Sequence, residues 1–234
     1  MNGVSAGIKA SVLIVTKDRQ SELRRAIRSA LWQTEPVEIV VLDDGSTDGS
    51  SEALKGLPVV VIRHPVNLGQ GAALETGKAY ALRHGAEIAV HFDADGQHCW
   101  EQIPELVAPI VRGEADVVLG SRFLRANDVA RTPAAKRLIL RGGIIVSGLF
   151  TGMWLSDTHN GFRALSRNAL DEIEIRENGF AHATEILGAI RKRKLRYREI
   201  PATIRYSDYS RSKGQPIWNS VNIVVDLLLQ RLFR

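Results

Sequence analysis

Ile88-Ala89-Val90-His91-Phe92-Asp93-Ala94-Asp95-Gly96-Gln97-His98 is an apolar run that ends abruptly in two carboxylates, an amide and an imidazole. Along a strand every second side chain points to the same face, so Asp93 and Asp95 converge on one point beyond the strand's end. Two like charges there repel unless a cation lies between them. Mg²⁺ or Mn²⁺ suits such a pair, because it binds through one or two carboxylates and completes its shell with substrate phosphate oxygens. The same residues also suit an Asx-type turn that closes a strand for local reasons, and the segment by itself leaves both readings open. An EF-hand calcium loop is excluded. Counted from Asp93, it needs Gly at the sixth position and Glu at the twelfth, where the chain has His98 and Pro104.

Outward from this segment, apolar β-branched runs at 10–15, 37–42, 59–62, 86–92 and 115–119 alternate with helical patterns near 21–33, 70–84 and 102–112. That alternation predicts βαβ units and an α/β fold with a mainly parallel sheet covered on both faces. Ligands of such sheets bind beyond the carboxyl ends of the strands. The polar motifs fall there: Asp43-Asp44-Gly45-Ser46 after the second run, Asn67-Leu68-Gly69 after the third, Asp93 to His98 after the fourth and Gly120-Ser121-Arg122 after the fifth. Thr47 or Asp48 is placed to cap a helix, which leaves Asp43 and Asp44 for other work, such as accepting hydrogen bonds from a base or ribose. Gly69-Gln70-Gly71-Ala72-Ala73-Leu74 lacks the third glycine of a dinucleotide fingerprint, and Gly77-Lys78-Ala79 fails as a P-loop. What survives is a glycine-rich helix start, with Gly71 among the backbone N–H groups that can face a nucleotide.

The 234 residues, 44% of them hydrophobic, suffice for a substantial core and suit one domain. The single cysteine, Cys99, excludes an intrachain disulfide and a cysteine-based zinc site. No run reaches the ~18 apolar residues of a membrane span, and nothing resembles a signal peptide, so a cytoplasmic place is expected. A net charge of +5 favours anionic partners without choosing among them. The basic run Arg191-Lys192-Arg193-Lys194-Leu195-Arg196-Tyr197-Arg198 reads as the solvated end of a helix entering a strand. Aromatics are not interleaved with the basic residues, so no specific nucleic-acid binding is expected. Beyond residue 125, Gly142 to Phe150 reads as a core helix or an interfacial one. Ile217, Val221, Val224, Val225, Leu228, Leu229 and Leu232 recur at helical spacing in the tail.

Five motifs in register resemble the family 2 glycosyltransferases of the GT-A fold, most closely the dolichyl-phosphate mannose or polyprenyl-phosphate sugar synthase branch. They are Asp43-Asp44-Gly45-Ser46-Thr47-Asp48, Asn67-Leu68-Gly69-Gln70-Gly71, Asp93-Ala94-Asp95-Gly96-Gln97-His98, Gly120-Ser121-Arg122-Phe123 and Asp157-Thr158-His159-Asn160-Gly161-Phe162-Arg163. The resemblance covers about residues 10–213. It implies one Rossmann-like domain over 1–213, with a nucleotide-sugar half at about 8–125 and an acceptor half at about 126–213, followed by an amphipathic helix at 214–234. It further implies that Thr16 and Asp18 line the nucleotide pocket, that Asp44 contacts the base, and that Asp93 lies by the ribose and diphosphate. Asp95 and Gln97, with Asp93 beside them, would hold Mg²⁺ or Mn²⁺. Val15-Thr16-Lys17-Asp18-Arg19 departs from the branch's Pro-x-Tyr-Asn-Glu, with Lys17 in place of an aromatic, and Cys99 replaces a usual Pro.

The reaction implied is inverting transfer from a UDP-, GDP- or dTDP-sugar. A polyprenyl phosphate acceptor is already an anion and needs cations to grip it, for which Arg122, Arg211 and Lys213 are the candidates. A hydroxyl of a lipid-linked saccharide would need a proton acceptor, and Asp157 and Glu185 are the candidates for that. A silent nucleotide-sugar-binding scaffold is the alternative from another class. Because the branch's acceptor lies in a membrane, peripheral docking on an anionic inner face is expected, through the tail helix or residues 142–155. A homodimer through the tail helix is the alternative.

Overall fold

The computed structural model describes residues 9–31, 37–125, 134–158, 160–179 and 181–205. The tail stripe, Arg211 and Lys213 lie outside these residues. The five apolar runs form β1 (Ala10–Thr16), β2 (Val37–Asp43), β3 (Val60–Arg63), β4 (Ile88–Asp93) and β5 (Val117–Ser121). Between them lie α1 (Gln20–Leu31), α2 (Gln70–Arg83) and α3 (Ile103–Val111). The second half adds α4 (Ala134–Thr151), β6 (Arg163–Ser166), α5 (Arg167–Glu172), α6 (His182–Lys192) and β7 (Tyr197–Pro201).

The seven strands make one sheet in the order β3-β2-β1-β4-β6-β5-β7. β1 sits between β2 and β4, parallel to both, with Val12 level with Ile39 and Val90. It is therefore buried on both faces, which is why its sequence is continuously apolar rather than alternating. Val12 and Ile14 pack on one face with Leu23 and Ile27 of α1, Leu106 of α3 and Phe162. Leu13 packs on the other with Ala73 and Leu74 of α2, Leu170 of α5 and Ile186 of α6. The helices supply matching stripes: Leu23, Ala26, Ile27 and Ala30 of α1 are spaced to share one side.

β6 breaks the parallel pattern, running antiparallel to both β4 and β5. A strand that enters the sheet reversed begins where its neighbours end. The residues leading into β6 therefore lie at the carboxyl edge of β4 and β5, beside Asp93 and Arg122.

The charged residues of the run at 191–198 are exposed, as expected, and three of its arginines form ion pairs. Arg196 grips Asp116, Arg198 Glu114 and Arg193 Glu172. Residues 142–150 are helical within α4, which packs against α6. No helix among the described residues is long and apolar enough to cross a membrane.

Candidate active site

A cleft of about 460 Å³ opens at the carboxyl ends of β1, β2 and β4. Thr16, Asp18, Asp44, Gln70, Asp93 and Asp95 line it, with Lys17 and Arg19 at one side and Gly179 at another. The strand-end carboxylates that the alternation brings together are thus on one wall. Their surroundings differ. Asp93 receives His98 Nε2 at 2.9 Å and Gln70 Nε2 at 3.4 Å. Burial alone would raise its carboxyl pKa, but the hydrogen bond and charge of His98, with Arg163 behind them, outweigh burial and hold it below the usual carboxylate range. Asp95 takes only the Gln97 backbone N–H, at 2.9 Å, among described hydrogen bonds. Burial first, and the neighbouring Asp93 charge second, push its pKa up.

The donor set is hard oxygen, two carboxylates facing one cleft, and it fits Mg²⁺ or Mn²⁺. Among the described residues no cluster of three or more His, Cys, Asp or Glu is arranged to hold a metal. The remaining ligands would have to come from substrate or water. Gln97 stands in the same turn, but its described contacts are of the backbone: its N–H goes to Asp95 and its carbonyl takes Arg205 N–H.

The remaining acidic residues of this edge hold backbone. Asp43 accepts from Ser46 N and from the Ser51 hydroxyl. Asp44 takes Leu68 N and Gly69 N, each at 2.8 Å, and the His64 ring at 2.9 Å. Its burial raises the pKa, yet these donors together bring it below the ordinary value. Asp18, in the left-handed region at φ 48°, takes Thr47 N at 2.7 Å and ties β1's end to the loop after β2. Asp48 caps across space as well as along the chain: its carboxylate takes Gln20 N at the start of α1 and Ser50 N two residues on. The Thr16 hydroxyl is buried in the cleft wall with no hydrogen-bond partner among the described residues.

Gly71 corrects the expectation drawn for it. Its N–H is donated to Asn178 O at 2.8 Å, and a Cβ there would lie 1.8 Å from Glu177 O. It is a close-packing site under the 173–179 segment, while Gly69 and Gln70 face the cleft. That segment is strapped down along its length. Lys78 holds Ile173 O, Glu75 takes Ile175 N, and Glu185 Oε2 takes Arg176 N at 3.0 Å and Glu177 N at 2.9 Å. Glu185 is therefore a clamp on the strap, which is a different task from accepting a substrate proton.

On the other side of Asp93 lies the lead into β6. Asp157 and Arg122, expected to act separately as base and phosphate grip, are each other's partner: both guanidinium contacts measure 2.6 Å, and the Arg122 N–H adds a third. The side chains are only 1% and 8% exposed. Glu199 of β7 holds Ser156 N and its hydroxyl and sets this turn. Arg163, buried between Asp93 and Asp157, has its pKa lowered to about 10 by burial against the pull of both carboxylates. Gly161 lies against Asp93, where a Cβ would come 2.6 Å from its Oδ2. Glu75 and Glu199 lie outside the sequence motifs, and Gln70 and Arg163, which lie inside them, gain their contacts only from the fold. The pairing of Glu75 with Lys78, one helical turn apart with opposite charges, is the local signal for Glu75.

The sequence model described as Glycosyl transferase family 2 matches residues 11–174. A Methanococcus voltae protein named UDP-N-acetylglucosamine–dolichyl-phosphate N-acetylglucosaminyltransferase is 28% identical, over 96% of this chain and 97% of its own length. The dolichol-phosphate mannosyltransferase of Pyrococcus furiosus is 32% identical over 94% of this chain and 64% of its own length. Among solved structures, glucosyl-3-phosphoglycerate synthase from Mycobacterium tuberculosis, in complex with Mg²⁺ and UDP, superposes with a TM-score of 0.70 at 21% identity, covering 96% of this chain and 80% of that one.

Proposed function

This chain belongs to glycosyl transferase family 2, and from that premise we propose that it moves a sugar, with inversion, from a nucleotide-sugar donor to a polyprenyl phosphate. It is a glycosyltransferase of GT-A fold; the donor, the acceptor and the stereochemistry are the proposal. The observation that carries it is the single cleft joining Thr16, Asp18 and Asp44 to Asp93 and Asp95. The first three would receive the nucleoside, with the Thr16 hydroxyl, which has no partner among the described residues, and the Lys17 side chain offered to the base. Asp93 and Asp95 would hold Mg²⁺ or Mn²⁺ against the diphosphate. A cation bound there supplies charge neutralisation for the departing nucleoside diphosphate.

Two features favour a phosphate acceptor over a hydroxyl. A phosphate oxygen attacks the anomeric carbon without losing a proton, so no general base is required. The two carboxylates considered for that role are engaged, Asp157 by Arg122 and Glu185 by the strap. The relatives named above carry dolichyl or dolichol phosphate in their names, which supports the same reading. For the membrane we assign α4 and the turn after it: Ile145 and Leu149 of α4 and Trp154 beyond its end are 55%, 66% and 65% exposed, and the Trp154 ring lies on Gly148. A tryptophan beside exposed aliphatic residues suits the interface of a bilayer, here at its inner face.

The test is transfer of labelled sugar from UDP-, GDP- and dTDP-sugars with Mn²⁺ into a solvent-extractable polyprenyl phosphate product. Asp95→Ala is expected to lower turnover by about a hundredfold or more. Undiminished turnover in that variant or in chelator would remove the metal from the mechanism. Donor binding with no transfer to any acceptor would leave a sugar-nucleotide-binding scaffold.

A further inference from the structure

We propose that His98 is a positioning residue that aims Asp93 at the donor diphosphate and its cation, an inference that rests on the glycosyltransferase reading of the cleft. His98 does not line the cleft. Its side chain is 4% exposed, and its one described hydrogen bond runs from Nε2 to Asp93 Oδ2 at 2.9 Å. The other ring nitrogen is buried with no hydrogen-bond partner among the described residues.

Packing fixes the ring so that this bond has one direction. The imidazole stacks on Phe162, with centroids 5.1 Å apart and planes at 22°, and meets Phe92 edge-on at 5.5 Å. Its backbone bridges to Ile204, and the Gln97 carbonyl beside it takes Arg205 N–H at 2.8 Å. Asp93 is then enclosed by three elements: His98 on Oδ2, Gln70 of α2 on Oδ1, and the Gly161 backbone against the carboxylate. A short carboxylate in water samples several rotamers, and holding it in one removes that reorganisation from binding. Asp95 has a single described hydrogen bond, from the Gln97 backbone N–H of its own turn. Among the described residues the motif thus contains one carboxylate held from several sides and one held only by its turn, and His98 makes the difference.

His98→Phe keeps an aromatic ring for the stack and removes the donor; His98→Gln returns an N–H near the position of Nε2. Affinity for Mn²⁺ with UDP and for Mn²⁺ with GDP is measured by calorimetry, alongside melting temperature. We expect His98→Phe to bind the preferred diphosphate about tenfold more weakly and His98→Gln to recover to within about threefold of the parent, with melting within about 3 °C in each. Equal affinity in His98→Phe and the parent overturns the proposal, and so does equal weakness in Phe and Gln. The metal-free, nucleotide-free protein is examined in parallel by histidine-selective ¹⁵N NMR, where the His98 Nε2–H resonance is expected to move in Asp93→Asn. A resonance that does not move overturns the contact whatever binds. A parent protein that binds neither diphosphate while that resonance does move overturns the reading of the cleft instead.

Discussion

Arg122 and Asp157 are identifiable from sequence as chemistry-bearing residues, and each had a role that assumed the other's absence. In the folded chain they share three hydrogen bonds in a site closed to water. Removing one partner of a buried pair costs about 3–5 kcal/mol, whereas replacing both partners by apolar groups costs far less. Arg122→Met alone should therefore lower unfolding free energy in denaturant titrations by about that amount, and adding Asp157→Leu should restore part of it. Additive losses in the double variant would show that the two do not act as a pair. Nothing local could have revealed this, because the partners are 35 positions apart and meet only once β6 has entered the sheet reversed.

The strap at 173–179 is the element whose function was least visible beforehand. Its backbone polar groups are held by side chains of α2 and α6, and Gly179 at its end forms part of the cleft. Glu185→Ala should loosen it and raise the donor KM by about tenfold, since hydrogen bonds to a charged acceptor contribute about 1.5–3 kcal/mol each, while the pH profile of kcat keeps its shape. Loss of an acidic limb from that profile, with kcat down by about 10²–10⁴-fold, would return Glu185 to the general-base role. For α4, Leu149→Glu with Trp154→Glu should cut co-sedimentation with phosphatidylglycerol vesicles several-fold. Unchanged recovery would shift the membrane contact to residues 214–234, which lie outside the described structure. The helix itself was anticipated from its apolar stretch, but which residues face outward depends on how it packs against α6.

At the scale of the whole molecule, the sheet encloses basic groups that stay neutral. Burial, reinforced by the Arg163 charge, lowers the pKa of His91 to about 3 and that of His182 to about 4. In the unfolded chain both titrate near 6.5, so between pH 6.5 and 4 the unfolded state binds protons that the native state refuses. Stability must fall as pH falls through that window. His98 is shifted the other way: its burial lowers the pKa, but Asp93 outweighs burial and raises it. It is therefore protonated in the native state throughout the acid part of the window, and its own stabilisation is lost only as pH rises past its folded value. Denaturant titrations from pH 6 to 4.5 should show a steady decline, less steep in His182→Phe; equal slopes in the two proteins would mean that His182 is not excluded from protonation. The alternation of strands and helices in the parallel half and the placing of Asp18, Asp44, Asp93 and Asp95 at strand ends were legible in the sequence, because strand period, apolar runs and strand ends are local properties of the chain; the order of the strands was not. Tertiary structure alone decided which carboxylates face the cleft and which hold other groups. Gly71 under Asn178, Glu185 on the strap, Asp157 on Arg122 and His98 behind Asp93 are juxtapositions made by packing α2, α6 and a reversed β6 around the ends of β4 and β5. Contacts between distant segments carry no period and no spacing from which they could be read beforehand.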